Sequence, residues 1–132
     1  MQRLDPKLDP YVNDIGHLGV ALISLAEILV PCLDAVRARS VAEVGAYAGD
    51  LTRLLLDWAE QSGAKVIALD PVPQKELEEL HERRPELELI RETSVDALRR
   101  IELPDAVIID GDHNYYTVGE ELRLIARRAP DR

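Results

Sequence analysis

The 132-residue sequence predicts an α/β fold built on a parallel sheet, and three observations carry that expectation. From Ser40 onward, short β-prone runs alternate with amphipathic stretches of about ten residues; only a crossover connection of that kind returns a chain to a parallel neighbour. Residues 66–69 (VIAL) and 106–109 (AVII) are apolar without interruption, as strands covered on both faces require. Glycine and proline close the segments at regular intervals, and the length suits one domain.

In chain order, the spacing Ile15, Leu18, Leu22, Leu25, Leu29, Leu33, Val36 steps by three and four and predicts a core-packing helix over 12–38, bent or restarted at Pro31. Residues 40–45 (SVAEVG) predict the first strand. Residues 50–61 follow as a helix with Leu51, Leu54, Leu55 and Trp58 on one face, closed by Gly63. Residues 65–70 (KVIALD) form the next strand, stopped by Pro71 and Pro73. Residues 74–84 read as a solvated helix with Leu77 and Leu80 facing inward and Lys75/Glu79 and Glu79/Arg83 at ion-pair spacing. A weaker strand at 87–91, a short helix at 94–100, a strand at 106–110 and a last helix at 114–128, through Val118, Leu122 and Ile125, complete the series. The chain thus divides into a helical segment, 1–39, and a Rossmann-like unit, 40–132, within one domain.

Sixteen Lys and Arg stand against 25 Asp and Glu, a formal charge of −9. That balance excludes a nucleic-acid or anionic-membrane binder, since phosphate neutralisation needs clustered cations. Cys32 is the only cysteine, so neither an intrachain disulfide nor a thiolate zinc cluster is available. The apolar stretch from residue 15 to 33 carries His17, Glu27 and Pro31 and resembles neither a spanning segment nor a signal peptide. A cytoplasmic setting is expected. His17 and His81 have no acidic or cysteine partners at ligand spacing and read as surface residues.

In sheets of this kind, ligands sit outside the carboxyl ends of the strands. The first strand runs into Glu43-Val44-Gly45-Ala46-Tyr47-Ala48-Gly49-Asp50, where Gly45 permits a tight turn and Gly49 lets a helix come close. The second ends in Asp70, 21 residues after Gly49, a carboxylate able to accept from both hydroxyls of a ribose. The fourth ends in Asp110-Gly111-Asp112-His113-Asn114-Tyr115. Glu43 lies within an otherwise apolar strand and requires a partner there, because isolated burial of a carboxylate is costly.

These segments, spanning Ser40 to Ala126, resemble the front half of class I S-adenosylmethionine-dependent methyltransferases. The small-molecule O-methyltransferase-like group, with its D-G-D-H-S-Y signature, is the nearest in pattern; Asn114 stands here for Ser. The resemblance implies a cofactor loop of Glu43, Gly45, Ala46, Tyr47 and Gly49 under the methionine part, with Tyr47 either lining that pocket or covering the loop. It implies Asp70 and Pro71 at the ribose, Thr93 or Ser94 at the adenine, and Asp110 at the rim. Thr93 occupies the position where the family often has an acid for the adenine amine. The reaction implied is direct displacement, methylating a small-molecule acceptor, with a hydroxyl as target and His113 or Asp110 as its base; for His113 the reading as a helix-cap or loop-holding residue stands slightly ahead of that role. Asp110 and Asp112, with His113, offer metal-type side chains, but relatives complete that site after a fifth strand, so no metal is expected.

The family sheet has seven strands ordered 3-2-1-4-5-7-6, which implies 3-2-1-4 here and leaves 106–110 at an edge. An open edge invites pairing, so a homo-oligomer or contact with a missing C-terminal half is expected. Two other readings compete: a truncated, non-catalytic cofactor-binding or oligomerising module, and an NAD-dependent oxidoreductase. The latter is disfavoured because Tyr47 stands where its second glycine would admit pyrophosphate.

Overall fold

The structure, a computed structural model, describes residues 25–111 and 114–130. Within them the order is α1 (Ala26–Ala35), β1 (Ser40–Val44), α2 (Asp50–Ser62), β2 (Lys65–Leu69), α3 (Lys75–Arg83), β3 (Glu88–Ile90), α4 (Ser94–Arg100), β4 (Ala106–Ile109) and α5 (Tyr115–Arg128). The four strands form one parallel sheet in the order β3-β2-β1-β4, the order that the family resemblance implies.

Side-chain alternation along the strands divides the core in two. Val41, Val66, Ala68, Leu89 and Ile108 face α1, α2 and α3, where Leu33, Leu54, Leu55, Trp58, Leu77 and Leu80 meet them. Ala42, Val44, Ile67, Leu69 and Ile90 face α4 and α5, against Ala97, Leu98 and Ile101. Helices therefore cover both faces of the sheet, as its uninterrupted apolar strands require. The indole N–H of Trp58 donates to Asp34 at 2.8 Å, fastening α2 to α1.

Three expectations need correction. Helix α1 passes through Pro31 without a restart and ends at Ala35, not 38; the expected portion before Leu25, His17 included, lies outside the described residues. Of its apolar series, Leu33 is buried, whereas Leu25 and Val36 are exposed. On α5, Leu122 is 54% exposed while its neighbour Glu121 is fully buried. The reason is the sheet's extent. With β4 at its edge, the apolar face of α5 overhangs the last strand, and Leu122 lines a groove with Leu103, Val107, Ile109, Ile125 and Pro130. His81 is half-buried rather than a surface residue, and its Nδ1 is buried without a hydrogen-bond partner.

Helix α3 carries the expected Lys75–Glu79 ion pair, at 3.5 Å. Arg83 instead donates to the backbone carbonyl of Glu79. Among the described residues, no helix is long and apolar enough to cross a membrane.

Candidate functional site

Pairing between the strands fixes the positions of the candidate residues. Val44 lies in register with Leu69 on one side and Ile109 on the other, and Leu69 with Ile90. The next residue of each strand continues the ladder: Gly45 N–H donates to the Leu69 carbonyl at 2.9 Å, Asp110 N–H to Val44 at 2.9 Å, and Asp70 N–H to Ile90 at 3.1 Å. Gly45, Asp70 and Asp110 consequently stand side by side on the carboxyl rim of the sheet.

Gly45 has φ +80°, and a Cβ there would lie 2.4 Å from Gly111 Cα and 2.6 Å from the Asp110 carbonyl oxygen. The loops after β1 and β4 thus touch, which only glycine allows. Gly49, at φ +90°, caps α2 and packs beneath Leu77 and Leu80, each 3.2 Å from a Cβ built at that position. The helix that it admits is α3. Between them, Tyr47 also takes a left-handed conformation, φ +50°, and its side chain is 54% exposed. Residues that strained concentrate at sites where the backbone geometry itself is needed.

Asp70 is buried, and both carboxylate oxygens accept backbone donors: Oδ2 from Tyr47 N–H and Oδ1 from Val72 N–H, each at 2.9 Å. It ties the β1–α2 loop to the β2–α3 turn while one lone pair on each oxygen is left over. Pro71 follows it in that turn. Glu43, 2% exposed, points toward α2 and accepts from the Thr52 hydroxyl at 2.5 Å. Burial pushes its carboxyl up to about 8, and the nearby carboxylates of Asp110, Asp50 and Asp70 push the same way against the Thr52 hydrogen bond.

At the end of β3, Thr93 caps α4, accepting from Asp96 N–H and donating to the Asp96 carboxylate at 2.9 Å. Ser94 donates to Glu121 of α5, whose second oxygen is buried without a partner. The two hydroxyls expected at an adenine are thus already engaged within the protein. Beyond β4, Asn114 caps α5 by accepting from Thr117 N–H at 2.8 Å. Asn and Ser are equivalent at that task, which accounts for the replacement. Asp112 and His113 lie outside the described residues; among the described residues, no group of three His, Cys, Asp or Glu side chains is placed to hold a metal.

Sequence reasoning missed Thr52 and Glu121. Thr52 was detectable as the uncharged polar residue beside the apolar face of Leu51, Leu54 and Leu55. Glu121 was masked by an apolar period that pointed to Leu122.

A family model described as a methyltransferase domain matches residues 42–132. This chain belongs to that family. No curated protein matches it. Among solved structures, the S-adenosylhomocysteine-bound methyltransferase PaMTH1 of Podospora anserina superposes with a TM-score of 0.73 at 12% identity, covering 95% of this chain and 57% of that one. The 1,6-didemethyltoxoflavin-N1-methyltransferase of Burkholderia thailandensis, with 1,6-didemethyltoxoflavin and S-adenosylhomocysteine bound, gives 0.58 at 18%, covering 96% and 60%. The apo structure CmcI-N160 gives 0.57 at 17%, covering 98% and 63%. These likenesses establish the fold, and the chain spans less than two thirds of each of the three.

Proposed function

We propose that this chain binds S-adenosylmethionine along the carboxyl rim and serves methyl transfer to a small-molecule acceptor, with a hydroxyl as the accepting group. The observation that carries the reading is the juxtaposition of Gly45, Asp70 and Asp110 at three adjoining strand ends, with Gly45 pressed against Gly111. Family membership and two relatives holding S-adenosylhomocysteine support it.

The donor set suits the ligand. Asp50, Asp70 and Asp110 make the rim acidic, which favours a molecule carrying an ammonium and a sulfonium. Asp70 has lone pairs remaining for ribose hydroxyls, and Pro71 stiffens the turn holding it. Gly45, Ala46, Tyr47 and Gly49 supply the backbone beneath the methionine part. With Thr93 and Ser94 engaged in capping and packing, their contribution to the adenine is through backbone groups. The bound donor supplies an activated methyl group. The protein's work is to align the acceptor oxygen with the methyl–sulfur bond, exclude water and take up a proton. Asp110, or His113 beyond it, is the base assigned to that proton.

The edge of β4 and its apolar groove favour a second element of the reading. The outer side of β4 is a surface for strand pairing, by a second copy or by the remainder of a longer chain. Light scattering and amide exchange check it: an assembly with protected amides at Val107 and Ile109 is expected, and a monomer whose amides there exchange rapidly would count against it.

Thermal denaturation with S-adenosylhomocysteine tests the cofactor assignment. A ligand at a hundred times its dissociation constant adds about 2.7 kcal/mol, and Asp70→Ala should lose most of that increment. A wild-type melting temperature unmoved by millimolar ligand rejects the assignment.

A further inference from the structure

Glu43 occupies an unusual place for a carboxyl group. It stands inside β1, between Ala68 of β2 and Ile108 of β4 in register, with a single described side-chain donor, the Thr52 hydroxyl of α2. The charged groups that bear on it from the surrounding elements are all acids: Asp70 at the end of β2, Asp110 at the end of β4 and Asp50 at the start of α2. Arg53, a cation on that turn of α2, is paired with Asp50 at 3.6 Å. A buried carboxyl surrounded by like charges is more stable with its proton on. Two residues later the chain reaches Gly45 and the loop on which the methyl donor is proposed to rest.

Building on that cofactor reading, we infer that Glu43 is neutral in the ligand-free protein and ionises as a cationic ligand settles on the 45–49 loop, so that binding the cation and expelling one proton form a single linked event. The O–H bond of Glu43 breaks, the proton passes to solvent, and the carboxylate left behind balances the incoming positive charge. The coupling is electrostatic and needs no direct contact, because Asp110 and Asp70 already influence Glu43 from the same rim. Thr52 is a positioning residue: its hydroxyl donates to the carboxylate and holds the side chain against α2. The raised pKa, about 8, leaves the proton in place through neutral pH and therefore available for release.

Calorimetric titration of S-adenosylmethionine, whose sulfonium gives it a net positive charge, into the wild-type chain, in buffers of different ionisation enthalpy, counts the protons. At pH 7 the count should approach one released per ligand, and it should fall toward zero above about pH 9, where Glu43 is already ionised. Glu43→Gln should bind with no dependence on the buffer; because that change alters a buried site, the wild-type pH series stands as a second, independent readout. Clear binding heat that does not vary with buffer in the wild type overturns the inference, as does an undiminished proton count in Glu43→Gln. If ligand produces neither heat nor a melting shift, the cofactor assignment itself falls and the inference falls with it.

Discussion

The residues of the rim show how one strand can serve both packing and chemistry. Val41 and Val44 of β1 fill the two cores, while Glu43 between them meets Thr52. Because burial holds its folded-state pKa above the ordinary carboxylate value, the stability compatible with Glu43 is complete below about 4.5 and is lost as the pH climbs through about 8. The stability difference between Glu43→Gln and wild type should therefore shift in favour of the variant from pH 5 to 8.5, by at most about 1.4 kcal/mol per pH unit. Urea denaturation across that range reads it, and a constant difference would contradict the assignment. Gly45→Ala is predicted to cost about 1–2 kcal/mol from the left-handed backbone alone, and more because its methyl meets Gly111 and Asp110. Chemical denaturation at a fixed pH measures that loss. The glycines and Asp70 were legible in the sequence, since turn geometry and a strand-end acid leave signatures. That both Asp70 oxygens hold backbone N–H groups was not, because Tyr47 and Val72 contribute only their main chains.

At the scale of elements, caps and periodicity located most of the helices and strands. The Thr93 side chain caps α4 by accepting from Asp96 N–H, and the helix starts at Ser94 as expected. Asn114 begins α5 in the same manner. Asn114→Ala should cost about 0.5–2 kcal/mol and Asn114→Ser very little, a contrast that thermal melts resolve. What periodicity misjudged was the direction of α5. It is an amphipathic helix, but the strand needed to cover its whole apolar face is not among the four, so Leu122 remains exposed and Glu121 turns inward to Ser94. Leu98, fully buried on α4 beneath the same layer, gives the converse prediction: Leu98→Ala should destabilise by about 2–5 kcal/mol, whereas Leu122→Lys should change stability by less than about 0.5 kcal/mol in the monomer. Equal effects of the two would contradict the described packing.

For the molecule as a whole, parallel pairing aligns the carboxyl ends of all four strands, and this makes distant segments neighbours. Gly45, Asp70 and Asp110, separated by 25 and 40 residues along the chain, become adjacent through two backbone hydrogen bonds, Gly45 N–H to Leu69 and Asp110 N–H to Val44. The alternation of strands and helices announced that topology; the order of the strands came from the resemblance, because periodicity alone does not say which strands adjoin. The most direct test of the central claim follows the backbone amides of the labelled protein by NMR as S-adenosylhomocysteine is added. The account predicts shifts at residues 45–49, 70–72 and 110–111, with Ser40, Lys65 and Glu88 at the opposite rim undisturbed. Binding that moves the opposite rim and leaves Gly45, Asp70 and Gly111 unchanged would contradict it.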